Sequence, residues 1–127
     1  MSYAKSLSIA DDIADEVNRE ARAVSINLLN GLTRVTPVDT GRARGNWFVG
    51  INKSNRNIEQ ERKAFEAIQQ GVGVVSSAKQ LNYPEIVISN NLPYIEKLNE
   101  GHSKQAPIKF VEIEIDRVAN ARRLNGG

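Results

Sequence analysis

The chain has no cysteine in 127 residues, one histidine, one tryptophan and 6% aromatic residues. Without thiols it forms neither disulfides nor thiolate metal sites, which fits a protein indifferent to redox compartment. A lone histidine, His102, rules out any site needing two or more imidazoles from one chain, and its Gly101–Ser103 neighbourhood reads as a solvated loop. No apolar run approaches the roughly 20 residues of a bilayer span. The N-terminal stretch runs from Ile9 straight into Asp11 and Asp12, leaving no apolar segment of a secretory leader. The expectation is a protein made in a cytoplasm, with no membrane partner. Gly71-Val72-Gly73 lacks a third glycine and follows a helical pattern, and no phosphate-loop lysine motif occurs, so nucleotide binding is not indicated. Nothing places a nucleophile beside a base. The chain is therefore expected not to be an enzyme and to carry no cofactor or metal.

The remaining composition, 40% apolar and 25% charged, is that of an ordinary globular protein. A single domain over 1–127 buries roughly two-thirds of its unfolded surface. The net charge of +2 is small but uneven. Arg34, Arg42, Arg44, Lys53 and Arg56 face only Asp39 within 34–56, a bias read as a solvated loop or as a polyanion-facing surface.

Ile9, Ile13, Val17, Ala21, Val24, Leu28 and Leu32 recur every three or four residues, which predicts an amphipathic helix over 8–34 with Ser8 as cap. At about 40 Å it exceeds what one small sheet covers, so part of its apolar stripe is expected to serve another subunit. Aromatic and β-branched residues predict a strand over 46–51, followed by a polar loop over 52–57. Helical spacing predicts a helix over 59–70, weakened beyond by Gly71 and Gly73. A second strand is expected over 85–90. Pro93 opens a short helix ended by Gly101, and Pro107 opens a last helix carrying Ile108, Val111, Ile115 and Val118, with 125–127 frayed. The fold class is α+β: a long N-terminal helix and a C-terminal helix packed on a small, mainly antiparallel sheet.

The segment 36–47 joins the first helix to the first strand. Pro37 disfavours helix at Thr36, Asp39 or Thr40 can cap a new turn, Gly41 and Gly45 permit unusual backbone angles, and Trp47 brings a large apolar surface to the reversal as a core anchor. Two acidic groups read as ordinary surface. Asp12, Asp15 and Glu16 complement a helix dipole, and Glu112, Glu114 and Asp116, alternating with Ile113 and Ile115, read as a wet face. Arg42 and Arg44 beside Trp47 suit either phosphate contacts or pairing across an interface.

Residues 36–44, Thr-Pro-Val-Asp-Thr-Gly-Arg-Ala-Arg, running into Asn46-Trp47, resemble the Pro-Val-Asp-Thr-Gly-x-Leu-x-x-Ser-Trp signature of the tail-completion, or neck, family of tailed bacteriophages. Residues 88–101 look like that family's second block, and Pro107 with Phe110 like its third. Ala43 stands where the family often has leucine, and the insert at about 52–82 does not align. The resemblance marks Pro37, Asp39, Thr40, Gly41 and Trp47 as a structural signature. It implies a virion structural protein that forms a ring, commonly sixfold, at the head–tail junction between connector and tail proteins, with DNA passing through. Ring closure needs heterologous interfaces, expected from the N-terminal helix and the insert. Arg42, Arg44, Lys53 and Arg56 are then candidates for a DNA-channel or interface role. The alternative is a small basic module that contacts DNA phosphates through 34–56.

Overall fold

The computed structural model describes residues 3–38, 42–101, 103–104 and 106–126. Its elements in chain order are α1 (Tyr3–Val35), β1 (Trp47–Ile51), α2 (Ala64–Ser77), β2 (Ile86–Asn90), α3 (Ile95–Asn99) and α4 (Phe110–Gly126). Single 3-10 turns at Arg44–Asn46 and Ala78–Gln80 lead into β1 and out of α2. The α+β class stands, with a two-stranded antiparallel sheet as its only sheet among the described residues.

Trp47 pairs with Asn90, Val49 with Ile88 and Ile51 with Ile86. Because side chains alternate along a strand, these residues share one face and Phe48, Gly50, Val87 and Ser89 share the other. The first face meets the helices: Trp47, Val49, Leu29, Leu32 and Val75 form the core cluster, with Ile86, Ile88 and Val111 packed against it. The segment 52–63 straps the second face. Ser89 Oγ donates to the Asn55 carbonyl (3.0 Å), and Asn91 Nδ2 donates to the carbonyls of Asn55 and Asn57 (2.8 and 2.9 Å). Arg62 lies over the Phe48 ring at 4.1 Å from its centroid, leaving Phe48 buried.

This strap explains why α2 starts at Ala64 rather than near 59. The backbone of Glu59 is engaged at both ends by Asn46, whose Oδ1 accepts from Glu59 N (2.8 Å) and whose Nδ2 donates to Glu59 O (2.9 Å). Those groups are then unavailable to a helix ladder. At the other end α2 continues through Gly71 and Gly73 to Ser77 because packing outweighs helix propensity. A Cβ at Gly71 would lie 2.3 Å from Leu29 Cδ2, so glycine is what lets α2 approach α1. The insert is thus part of the core, with Ala67, Val75 and Ala78 fully buried.

Four other helix boundaries differ from expectation. Helix α1 begins at Tyr3, so Ser8 lies inside it rather than capping it. Helix α3 begins at Ile95, after a turn at Pro93 and Tyr94, and Gly101 ends it at φ +102° as expected of a left-handed terminator. Helix α4 begins at Phe110, not Pro107, because Asn99 receives the incoming chain. Its carbonyl accepts from Lys109 N (2.5 Å) and its Oδ1 from Val111 N (3.0 Å). At the far end α4 runs through Gly126, where a frayed tail was expected.

Helix α4 also corrects the wet-face reading at Glu114, while Glu112 and Asp116 are exposed as expected. Phe110, Glu114 and Val118 recur every four residues, lie on one helical stripe and are all buried, whereas Ile113 and Ile115 are exposed. Glu114 packs on Gly31 of α1, where an added Cβ would lie 2.2 Å from its Oε2. Arg117 Nε donates to both of its oxygens (2.7 and 2.8 Å), and Arg34 stands at 3.6 Å. That ion pair holds the Arg117 guanidinium above its usual pKa, chiefly through the hydrogen bond and then through the charge of Glu114.

Candidate functional site

Of the five signature residues, Asp39, Thr40 and Gly41 lie outside the described residues, so the expected cap there is not part of this account. Pro37 and Trp47 are both buried. Trp47 acts as the core anchor, and its indole N–H donates to Thr36 Oγ1 (2.8 Å), which itself donates to the Leu32 carbonyl (2.5 Å). Thr36 thus closes the end of α1 and satisfies a buried donor with one hydroxyl. Asn46, fully buried, also donates to the Arg42 carbonyl (2.7 Å) besides holding Glu59. At Gly45 an added Cβ would lie 1.6 Å from the Arg62 carbonyl oxygen, so the strap crosses the hinge at backbone contact. These contacts are those of a scaffold.

The strap brings sequence-distant cations together. Arg42 and Arg44 from the hinge and Arg62 and Lys63 from the strap line one open cleft of about 340 Å³, beside Gln60, Glu61 and Ala64. Arg44 is committed: its Nε donates to the Thr36 carbonyl (2.6 Å) and its Nη2 to the Arg34 carbonyl (2.8 Å), satisfying carbonyls that α1 leaves open at its end. Arg62 is held by its bond from Nη2 to the Trp47 carbonyl (2.8 Å) and by the Phe48 ring. Desolvation lowers its pKa from the usual arginine value, with Glu59 and Glu66 pulling the other way.

Lys53 and Arg56 do not join this cleft; they line a separate hollow with Gly50, Ile51, Ser54 and Asn55. Arg34, on α1, faces Glu114. The basic bias over 34–56 is therefore distributed over three places. Arg62 and Lys63 were missed by the sequence because nothing in their spacing links them to Arg42, some twenty residues earlier. The signal for Glu114 was present: its helical phase with Phe110 and Val118, opposite a glycine in α1.

Among the described residues no group of three or more His, Cys, Asp or Glu side chains is placed to hold a metal ion, and no helix is long and apolar enough to cross a membrane. His102 lies outside the described residues. What the arrangement offers is a hydrogen-bonded junction of Thr36 with 44–47, a cationic cleft and several outward apolar side chains: Ile13, Val17, Phe65, Tyr83, Ile108, Ile113 and Ile115. Compared with known proteins, the chain matches no protein-family model, no curated protein and no solved structure.

Proposed function

We propose that this chain is a structural virion protein of a tailed phage that forms a ring at the head–tail junction and acts by assembly, with no chemistry of its own. The observation that carries the reading is the arrangement of α4, which turns a carboxylate inward and leaves Ile113 and Ile115 at 52% and 44% exposure. The two isoleucines lie about 160° apart round the helix, flanking Glu112 and Asp116. Large apolar residues on both shoulders of a helix that already has a core-facing stripe suit a molecule whose free form is not its final one. The resemblance of the 36–47 segment to the neck family supplies the setting: the virion neck, with connector and tail proteins as neighbours.

The test is a phage in which this gene is deleted. Filled capsids and separate tails that fail to join are the expected outcome, rescued by the wild-type gene and not by a variant carrying Ile113→Lys and Ile115→Lys whose thermal unfolding is unchanged. Normal joined virions from the deletion would overturn the reading.

A second reading, a basic module that contacts DNA phosphates through 34–56, is favoured by the exposure of Lys53 and Arg56 on the strap. It predicts duplex binding by the free chain that weakens steeply with salt. Absence of binding at low salt eliminates it.

A further inference from the structure

Two surfaces of this chain are apolar strips edged by opposite charge. On α1, Ile13, Val17, Val24, Leu28, Gly31 and Val35 fall on one helical stripe, and Gly31 is where Glu114 of α4 docks. From Glu114, α4 has twelve residues left, about 18 Å of helix, whereas Val17 and Ile13 lie about 21 and 27 Å along α1 from Gly31. Laid along α1, the α4 backbone would therefore end before the level of Val17 and well before that of Ile13. They are 42% and 54% exposed. Their helical neighbours on the outward side include the exposed acids Asp12, Glu16 and Glu20, three acids against Arg19, which pairs with Glu16 at 3.2 Å.

On α2, Phe65, Ile68 and Val72 are spaced three and four apart beside the core-facing stripe of Ala67, Gly71 and Val75. Phe65 is 63% exposed. This strip begins at the mouth of the cleft, where Arg42, Arg44, Arg62 and Lys63 outnumber the one carboxylate, Glu61.

We propose that the outward face of α1 around Ile13 and Val17, opposite the face that buries Ala14 and Asn18, docks in one copy along the Phe65–Val72 strip of a second copy, with Glu16 and its acidic neighbours set against the cationic cleft. The occupant is a second copy of this chain because both complementary halves sit on one molecule. Apolar strip meets apolar strip and the charged rims are opposite in sign. The contact is head-to-tail, so each copy uses both surfaces and the assembly grows until rotation closes it. The proposal rests on the assembly reading above and names its surfaces.

The absence of cysteine makes the test clean. Val17→Cys and Phe65→Cys chains are prepared separately and mixed at the highest soluble concentration with a short thiol cross-linker. A cross-linked dimer is expected from the mixture and not from either variant alone. Glu16→Lys in the Val17→Cys chain should reduce the yield roughly fivefold, the order expected when one exposed charge pair is turned from attraction to repulsion. Lys63→Glu in the Phe65→Cys chain should restore it. Circular dichroism of each variant confirms that the helices are intact.

Cross-linking of Val17→Cys with itself, or no dimer from the mixture, overturns the proposal. So does a cleft that binds duplex DNA, loses it on Lys63→Glu and gives no dimer. A deletion phage with unjoined heads and tails but no cross-link would leave the structural role standing and remove this interface. A cross-link together with normal deletion virions would do the reverse.

Discussion

Asn46→Asp tests whether the strap is held to the hinge as described, because it changes one atom and almost no volume. In the native structure the side-chain amide Nδ2 donates to the carbonyls of Arg42 and Glu59 (2.7 and 2.9 Å), and Oδ1 accepts from Glu59 N. The residue is 0% exposed. An aspartate keeps the last bond and points its second oxygen at two carbonyl oxygens. As the neutral acid it donates one proton, so one bond is lost and the cost is about 1 kcal/mol. As the anion it is buried against acceptors, which raises its pKa in the folded state. A rise of about two units adds roughly 2.7 kcal/mol.

The sign follows from the direction of the shift. With the folded-state pKa above the unfolded value near 3.9, the penalty relative to wild type is smallest at about pH 3, grows as the pH rises through the folded pKa, and then levels off. At pH 7 it should total about 4 kcal/mol, a fall in melting temperature of roughly 12 °C or more for a domain this size. Urea unfolding of both proteins at several pH values, followed by the fluorescence of Trp47, measures it directly. A variant within about 1 kcal/mol of wild type at pH 7, or one whose penalty shrinks as pH rises, would refute the claim that the buried Asn46 amide donates to the carbonyls of Arg42 and Glu59.

Gly45→Ala should be more severe still, since the added carbon would meet the backbone oxygen of Arg62 at 1.6 Å; limited proteolysis should cut the strap in the variant under conditions that spare the wild type. Gly31→Ala should destabilise the fold even though alanine favours an exposed helix by about 1 kcal/mol, because its Cβ would lie 2.2 Å from Glu114 Oε2. Combining it with Glu114→Ala should then cost less than the sum of the two single changes, a non-additivity read from thermal melts. Thr36→Val deprives the buried Trp47 indole of its acceptor, with an expected loss of about 1–3 kcal/mol in chemical denaturation.

The sequence revealed elements where a periodic pattern and its punctuation agreed. Helix α1, both strands and the helical nature of α4 follow from spacing, and Gly101 ends α3 as a left-handed terminator. The pattern failed where tertiary contacts outweighed it. Nothing local shows that 59–63 is non-helical, because the cause is Asn46, thirteen residues before Glu59. Nothing local shows that Gly71 is helical, because the cause is Leu29 on another helix. Glu114 was misread for a different reason: an alternating acid–isoleucine run was judged by strand periodicity although it lies on a helix, where 110, 114 and 118 form the inner stripe. For the cleft, only the hinge half was legible. Its strap half depends on a crossing fixed by Gly45, read as a residue permitting unusual backbone angles, and Asn46, read as the start of a strand.

The geometry separates what holds the chain together from what it presents. Thr36, Arg44, Asn46 and Trp47 direct their side-chain polar groups to nearby backbone, to one another and to the strap, and Gly45 leaves room for the strap's backbone, so their substitution alters stability first. Ile13, Val17, Phe65, Ile113 and Ile115 lie outside that network and are each more than 40% exposed; changing them to polar residues costs the monomer little, since surface substitutions usually stay within about 0.5 kcal/mol. The described hinge residues therefore serve the fold, and the assembly proposed above draws instead on outward side chains of α1, α2 and α4. Arg42 sits at the border between the two sets: its carbonyl accepts from Asn46 while its side chain lines the cleft. Its substitution by lysine, which keeps the carbonyl and the charge but loses the planar fork of donors, touches only the second of those roles.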